Sequence, residues 1–241
     1  MPAFITIIVP MYNETQRLER LFSCVSENIV HDGYRWIFVN DGSTDTTLPE
    51  ICKLMQKHPE HIRLVSFEHN QGKGMAIQAG VQAAETEWLA YLDADMATDI
   101  ASVAQCIAHA QAVHADIVCG SRYCNGAVLH VPQPPLRYAA GWLFRLVAHL
   151  IFPSLPVYDT QNGCKVLRTA VAKDIFSHLQ SARWAFDLEI LLRAADHYLR
   201  VEEVGVVWSH QIGSHVNVRQ SCVLLTETLR LWFFRTILRR R

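Results

Sequence analysis

The chain has 241 residues, half of them hydrophobic, which is enough to bury the core of one large α/β domain. Its formal net charge of -1 leaves no excess of basic residues for a polyanion, so nucleic acid is excluded as an expected partner. Seven scattered cysteines without a Cys-x-x-Cys pair indicate reduced thiols and a cytoplasmic protein.

Short runs of β-branched and aromatic residues alternate with segments of helical length in the first half of the chain. The predicted strands cover residues 4–10, 34–41, 63–69, 88–93 and 116–120. The predicted helices cover residues 16–30, 44–57, 74–84 and 100–114. This alternation predicts an α/β fold with a mostly parallel central sheet and helices on both faces.

The second half of the chain has a less regular pattern. It predicts strands at residues 163–167 and 199–207 and helices at residues 170–179 and 185–197. We interpret residues 126–218 as an extension of the first 125 residues that builds the pocket of a second substrate, so that residues 1–218 form one domain.

Residues 219–241 predict a basic amphipathic helix, because six arginines and one glutamate alternate there with apolar and aromatic side chains. Such a helix suits the surface of an anionic membrane. The alternative is an ordinary helix whose apolar face packs on the domain or on a second subunit. No secretory leader or spanning segment is expected, because Arg145 and His149 interrupt the longest apolar stretch. We therefore expect peripheral association with the cytoplasmic face of a membrane.

Polar residues follow each predicted strand of the first half. They occupy positions 10–14, 40–45, 70–74, 93–95 and 120–122. In parallel α/β sheets, ligands bind beyond the carboxyl ends of the strands. We therefore expect these five motifs to meet at one edge of the sheet and to form the site.

Asp93 and Asp95 are the strongest candidates for a metal site. They leave the end of an apolar strand together, and two carboxylates this close repel each other unless a cation neutralises them. Hard oxygen ligands suit Mg²⁺ or Mn²⁺. The alternative is a capping or turn pair before the next helix.

Two further motifs suggest contacts to a nucleotide. Asp41 ends a strand at a position where a base or ribose could donate a hydrogen bond to it. Glycines 72 and 74 open a helix and allow close backbone approach to an anion, with Lys73 adding charge. A plain turn between strand and helix explains the glycines equally well.

Taken in order, the motifs are Pro10-Met-Tyr-Asn-Glu14, Asn40-Asp-Gly-Ser43, Asn70-Gln-Gly-Lys-Gly74, Asp93-Ala-Asp95 and Gly120-Ser-Arg122. This series resembles the family 2 inverting glycosyltransferases, which have the GT-A (Rossmann-like) fold. Within that family it is most similar to the polyprenyl-phosphate glycosyltransferases, such as the dolichyl-phosphate glucosyltransferases and mannose synthases. Residues 159–165, 184–189 and 213–217 resemble the acceptor-side motifs of this subgroup.

The resemblance implies a nucleotide-sugar site in residues 1–125. The residues expected to bind the donor are Pro10, Tyr12, Glu14, Asp41, Lys73, Asp93 and Arg122. Asp93 and Asp95 would hold Mg²⁺ or Mn²⁺, with Asp95 as a catalytic residue. A surface salt bridge of Arg122 and a helix N-terminal charge at Glu14 are the alternatives for those two residues.

The acceptor half is expected to contribute Arg137, Lys165 and His215. Arg137 and Lys165 supply charge for a phosphate, whereas His215 stands where the subgroup usually has a basic residue. Asp187 is the candidate catalytic base for a hydroxyl acceptor, and a lipid phosphate needs no base because it is already largely ionised. In that case Asp187 would orient the acceptor or support Lys165, and it could equally be a helix N-terminal carboxylate.

The leading hypothesis is metal-dependent transfer of a hexose from UDP-glucose, or alternatively GDP-mannose, to a polyprenyl or dolichyl phosphate at the membrane surface. A soluble family 2 transferase acting on a glycan hydroxyl is the enzymatic alternative. A non-catalytic module that binds nucleotide sugars is the alternative of another class.

Overall fold

A seven-stranded sheet forms the centre of the computed structural model, which describes residues 5–29, 33–211 and 218–238. The strands of this sheet are β1 (Ile5–Met11), β2 (Tyr34–Asp41), β3 (Ile62–Phe67), β4 (Trp88–Tyr91), β5 (Ile117–Ser121), β7 (Lys165–Arg168) and β8 (Val201–Gly205). They are ordered β3-β2-β1-β4-β7-β5-β8. Every neighbouring pair is parallel except the two pairs that β7 makes. β6 (Val128–Val131) and β9 (Val207–Ser209) form a separate parallel pair.

Helices connect the strands and cover the sheet. They are α1 (Leu18–Asn28), α2 (Thr47–Lys57), α3 (Lys73–Ala83), α4 (Ala101–Val113), α5 (Pro135–Ile151), α6 (Thr169–Ser177), α7 (Phe186–Asp196) and α8 (Val218–Phe233). No helix among the described residues is both long enough and apolar enough to cross a lipid bilayer.

The sheet is buried on both faces, as its nearly continuous apolar strands require. On one face Trp36 packs in a cluster with Leu21 of α1 and Ile51 of α2. On the other face Tyr91 packs in a second cluster that includes Ile77 of α3. This arrangement confirms the predicted α/β fold with a mostly parallel sheet.

The second half of the chain differs from a simple continuation of the alternating pattern. The strand predicted at residues 163–167 is β7, which runs antiparallel between β4 and β5 and pairs Lys165 with both Tyr91 and Cys119. Its first residue therefore lies at the carboxyl edge of the two parallel strands beside it. The strand predicted at residues 199–207 is divided into β8 and β9, and β9 leaves the main sheet to pair with β6.

Candidate active site

The predicted motifs meet at the carboxyl edge of the sheet through a series of direct contacts. Thr44 N donates to Asn13 Oδ1 at 2.8 Å, which ties the loop after β1 to the loop after β2. Gln71 N donates to Asp41 Oδ1 at 2.6 Å, which ties the second loop to the third. Lys73 ties the third loop to residue 93, as described next. The expected meeting of the motifs is thus observed.

Lys73 and Asp93 form an ion pair at the centre of this edge. Lys73 is the first residue of α3, and its Nζ lies 2.5 Å from Asp93 Oδ1. Burial would raise the pKa of Asp93, but Lys73, Lys165 and Arg122 hold it below its ordinary value. Burial would lower the pKa of Lys73, but Asp93 and the more distant Asp187 hold it above its ordinary value. Both side chains are therefore charged, and Asp93 lies among several cations.

The Asp93 carboxylate packs directly on Gly163. A Cβ atom at residue 163 would lie 2.1 Å from Asp93 Oδ2, which is far inside van der Waals contact. Only glycine leaves room for the carboxylate at this position. The loop that precedes β7 therefore forms one wall of the site.

Asp95 lies beside this pair with a different electrostatic environment. Its Oδ1 accepts a hydrogen bond from Ala97 N at 3.0 Å. Burial, and then the neighbouring Asp93, raise the pKa of Asp95 above its ordinary value. The two carboxylates thus repel each other when both are ionised, and a bound divalent cation would offset that repulsion.

The fit of Asp93 and Asp95 to a metal rests on this pair of hard oxygen donors. Within the described ranges, no group of three or more His, Cys, Asp or Glu side chains is arranged to hold a metal ion. Mg²⁺ is commonly bound through one or two carboxylates plus phosphate and water oxygens, and a two-carboxylate site fits that pattern.

Glu14 is a buried carboxylate in the loop after β1. Its backbone N donates to Thr47 Oγ1 at 2.8 Å, and its carboxylate accepts from Arg17 Nη1 at 2.8 Å. Burial raises the pKa of Glu14 to about 7, with Asp95 and Asp93 adding to the rise and Arg17 opposing it. Glu14 is the N-cap residue of the short helix at Thr15–Arg17, as the alternative of a helix N-terminal charge expects, and it also lies within electrostatic range of the acidic pair. Pro10 lies within β1, and Tyr12 beyond it is 40% exposed.

Asp41 holds the loop between β3 and α3. Its two oxygens accept hydrogen bonds from Gln71 N, Gly72 N and Asn70 Nδ2. The residue is 3% exposed, and burial raises its pKa despite these bonds. Asp41 therefore stabilises the loop that positions Lys73.

The glycines at the start of α3 make room for another loop. A Cβ atom at residue 74 would lie 2.6 Å from the Ser181 carbonyl oxygen. Gly74 N and Met75 N donate to the carbonyl oxygens of Arg183 and Ala182, each at 3.2 Å. These two N–H groups are occupied by the loop of residues 182–183, which supports the alternative of a structural turn for the glycines. An anion contact of this motif, through Lys73, stays a prediction.

Arg122 is oriented by a buried carboxylate. Asp159, which is fully buried, accepts from Arg122 Nε at 2.8 Å and from Nη2 at 2.7 Å. Glu203 in turn accepts from the backbone N–H groups of Tyr158 and Asp159. Arg122 is therefore in a buried ion pair rather than a surface salt bridge, and it still lowers the pKa of Asp93.

Lys165 and Asp187 form a buried ion pair below the site. Lys165 Nζ lies 2.6 Å from Asp187 Oδ1 and also donates to the carbonyl oxygens of Thr160 and Asn162. Tyr91 Oη donates to the same Asp187 oxygen at 2.7 Å. Lys165 is fully buried and all three of its donors are used, so the expectation that it contacts an acceptor phosphate is wrong. Asp187 lies in the first turn of α7, where its interactions support the structural role considered for it.

Arg137 lies near the acidic pair at the first turn of α5. Burial and the nearby Arg122 lower its pKa, whereas Asp95 and Asp93 act in the opposite direction. His215, the third residue expected to bind the acceptor, lies outside the described residues.

Two residues near the site were missed by sequence reasoning. His210 follows β9, and burial and Arg137 lower its pKa while Asp95 opposes them, so it lies within electrostatic range of both charges. Arg145 of α5 is 4% exposed, donates to Tyr123 Oη at 2.9 Å and stacks on the Tyr123 ring at 4.0 Å. In the part of the chain that the structure describes, no carboxylate forms an ion pair with Arg145. The sequence feature that could have identified His210 is its position directly after a strand, where the other site residues also lie.

The sequence of residues 6–176 matches the model of the family described as "Glycosyl transferase family 2". The chain belongs to this family. It is therefore a glycosyltransferase.

Curated relatives and solved structures agree with this assignment. The chain is 29% identical to a dolichyl-phosphate beta-glucosyltransferase of Dictyostelium discoideum, over 98% of this chain and 75% of the relative. It is 31% identical to a dolichyl-phosphate beta-glucosyltransferase of Drosophila melanogaster, over 87% of this chain and 68% of the relative. The structure of glucosyl-3-phosphoglycerate synthase from Mycobacterium tuberculosis, in complex with Mn²⁺, UDP-glucose and phosphoglyceric acid, superposes with a TM-score of 0.70 at 14% identity. That superposition covers 97% of this chain and 79% of the synthase, and it shows the shared GT-A fold.

Proposed function

We propose that this glycosyltransferase moves a hexose, and specifically glucose, from a nucleotide sugar to the phosphate of a polyprenyl or dolichyl lipid at a membrane surface. The observation that carries the proposal is the composition of α5. This helix carries Arg137 in its first turn, within electrostatic range of the acidic pair, and continues as an apolar surface exposed to solvent. A lipid phosphate has the same two parts, a charged group at the reaction centre and an apolar tail beside it.

The exposed side of α5 is suited to a lipid. Leu136, Leu143 and Leu150 are spaced by seven residues, which places them along one side of the helix, and they are 85%, 55% and 71% exposed. Trp142 is 47% exposed on the same helix. Side chains of this size rarely lie together in water without a partner. An interfacial helix presents such a face to the boundary between headgroups and acyl chains.

The donor is held in this proposal by the first half of the site. Tyr12, Glu14 and Asp41 lie by the nucleoside, while Lys73 and Arg122 lie by the diphosphate and sugar, with Pro10 supporting the first loop. The relatives named above as dolichyl-phosphate beta-glucosyltransferases support glucose as the sugar. UDP-glucose is the proposed donor and GDP-mannose its alternative.

Asp93 and Asp95 would hold Mg²⁺ or Mn²⁺ in this proposal. When bound, the metal supplies Lewis-acid stabilisation of the charge that develops on the departing nucleoside diphosphate. Lys73 and Arg122 add positive charge to the same region, and their carboxylate partners Asp93 and Asp159 fix their orientation. His210 lies within electrostatic range of Asp95 and contributes to the field there.

The nucleophile requires little help from a base in this proposal. A phosphate monoester has a second pKa of about 6 and is largely ionised at neutral pH. Asp187 is 4% exposed and already accepts from Lys165 and Tyr91, which supports a positioning role rather than proton abstraction from an acceptor hydroxyl. Arg137 is the proposed cation for the acceptor phosphate, and the buried Arg145 adds positive charge on the same helix.

The proposal is tested by the effect of Arg137→Ala on transfer from UDP-glucose to dolichyl phosphate. We expect the KM for the lipid to rise about tenfold, the size of a lost charge-assisted hydrogen bond, with a smaller change in the KM for the donor. Arg20→Ala removes an exposed arginine from α1 and serves as the matched control. An unchanged KM for the lipid in Arg137→Ala contradicts the assignment of the acceptor phosphate to this residue.

A further inference from the structure

Helix α8 is tied to both ends of α7 by charged side chains. Glu227 Oε2 accepts hydrogen bonds from Trp184 N at 2.9 Å and from Ala185 N at 3.0 Å, just before α7 begins. Arg235, which follows α8, forms a bidentate pair with Asp196 at the other end of α7, with distances of 2.6 and 2.7 Å. The two contacts hold α8 along α7.

Glu227 accepts from two backbone N–H groups at the entry to α7, Trp184 and the N-cap residue Ala185. The N-terminal N–H groups of a helix need acceptors, and the residue before the helix usually supplies one from its side chain. That residue is Ala185 here, and it makes no side-chain cap. Glu227 supplies a carboxylate at this end of the helix, from 42 residues further along the chain. The negative charge also interacts favourably with the N-terminal end of the helix dipole.

The turn that Glu227 holds contributes several groups to the site. The rings of Trp184 and Phe186 each lie 5.8 Å from Lys73 Nζ, on the ammonium that pairs with Asp93. Asp187 follows in the first turn of α7 and pairs with Lys165. A shift of this turn would move the aromatic environment of Lys73 and the carboxylate of Asp187 together.

The two sides of α8 differ in a way that suits this role. Thr228 and Leu231 are buried with 0% and 8% exposure, on the side that also carries Glu227. The opposite side exposes Leu225, Leu229, Trp232 and Phe233, each between 40% and 48%. The single carboxylate of α8 thus points into the protein, where it is half-buried against the start of α7, while the large apolar side chains face outward.

We infer that Glu227 is a positioning residue of the transferase, which sets the location of Trp184 and Asp187 relative to Lys73. It acts through the turn before α7 and touches no reacting atom. The inference rests on the proposed function only in placing Lys73 in the reacting site, with Asp187 in a positioning role below it. It adds α8 to the site, since the other groups described there come from residues 10–210.

The test compares two substitutions of similar size at residue 227. Glu227→Met removes the acceptor, and Glu227→Gln keeps an acceptor oxygen for the same N–H groups. We expect Glu227→Met to lower kcat at least tenfold with a change in the donor KM of less than threefold, because a displacement of about 1 Å in a site can cost that much or more. Glu227→Gln should recover most of the lost kcat.

Asp196→Asn is the matched control, because it weakens the other attachment of α8 far from Lys73. It should lower the Tm to a degree comparable with Glu227→Met and leave kcat within twofold of the unsubstituted enzyme. Equal values of kcat in Glu227→Met and Asp196→Asn, or a Gln variant no more active than the Met variant, would overturn the inference. If Glu227→Met does not fold, Glu227→Asp, which withdraws the carboxylate by one methylene, takes its place with the same expected order.

The readout separates this inference from the proposed function. The kcat values are measured both for transfer to dolichyl phosphate and for slow hydrolysis of UDP-glucose in the absence of lipid. Failure of the unsubstituted enzyme to form a lipid product contradicts the proposed acceptor. In that case the relative kcat values of the residue 227 variants and Asp196→Asn for donor hydrolysis still test the role of Glu227.

Discussion

The Cα atom of Gly163 lies against the carboxylate of Asp93, so that a side chain at residue 163 would occupy the space of the carboxylate oxygens. This contact connects the two halves of the chain at the site. The loop before β7 closes over the end of β4, and its glycine determines how near the two segments approach.

Gly163→Ala is therefore expected to displace Asp93 and break its pair with Lys73. Activity should fall by about 100-fold, the scale of a small displacement in an active site. The measurement is kcat for transfer from UDP-glucose. Gly141→Ala in α5 is the control, because its Cβ atom would be 3.4 Å from Arg145 Nη1, an ordinary contact. A helical glycine replaced by alanine should gain up to about 1 kcal/mol of stability and leave kcat unchanged.

The buried pair of Lys165 and Asp187 predicts strong coupling in stability. Lys165→Met leaves the Asp187 carboxylate buried with Tyr91 as its remaining partner, and we expect a loss of about 3–5 kcal/mol in the free energy of unfolding. Lys165→Met combined with Asp187→Leu should lose less than the sum of the two single variants, because no buried charge remains. Urea denaturation of the four proteins measures the coupling, and additive losses would contradict the described pair.

Glu14 predicts a dependence of stability on pH. Its folded-state pKa is raised from 4.5 to about 7, so the folded protein binds the proton more tightly than the unfolded chain does. The contribution to stability is full below about pH 4.5 and is lost as pH rises through about 7, with an upper limit of about 3 kcal/mol. Glu14→Gln should flatten the stability curve across this range. Parallel curves for the two proteins between pH 5 and about 8 would show that Glu14 titrates normally.

The orientation of Arg122 by Asp159 predicts an effect on catalysis. Asp159→Asn removes the charge of the buried bidentate partner, and we expect kcat/KM for UDP-glucose to fall about tenfold or more. The exposed pair of Arg63 and Glu85 is also bidentate, through Nη1 and Nη2, and provides the control. Glu85→Gln should leave kcat/KM unchanged, since exposed ion pairs contribute little. Equal effects of Asp159→Asn and Glu85→Gln on kcat/KM would contradict a role of Asp159 in the site.

Much of the fold and of the donor side of the site follows from local sequence pattern. Strand and helix periodicities are local, and the rule that parallel strands end at one edge brings Asp41, Lys73 and Asp93 together without knowledge of side-chain contacts. The contact of Lys73 with Asp93 is the direct result. Roles toward a substrate remain predictions for each of these residues.

The acceptor side of the site could not be predicted in the same way, because it depends on strand pairing that the local sequence pattern does not specify. Lys165 was expected to bind the acceptor phosphate, but β7 lies between β4 and β5 and buries it beside Tyr91. That insertion is a long-range choice of strand partner, and nothing within residues 159–168 specifies it. His210 was missed for a related reason, since the predicted strand at residues 199–207 divides into β8 and β9.

The contact that Glu227 of α8 makes with the start of α7 also could not be predicted from local sequence. The sequence pattern assigned no contact to Glu227, whereas its carboxylate accepts from the backbone before α7. The structure has a helix at Val218–Phe233 with a buried and an exposed side, and its exposed apolar side is the one proposed to contact a membrane. The periodicity predicted a helix with two different sides, but the structure was needed to identify what the inner side contacts.

Transfer of labelled sugar to dolichyl phosphate in vesicles is the most direct test of the proposed function. The enzyme is supplied with UDP-glucose or GDP-mannose, with and without Mn²⁺, and the organic and aqueous phases are counted. We predict that label from UDP-glucose enters the organic phase only when metal is present. Metal-dependent hydrolysis of the donor with no label in the organic phase would contradict the lipid acceptor, and would indicate a family 2 transferase that acts on a hydroxyl.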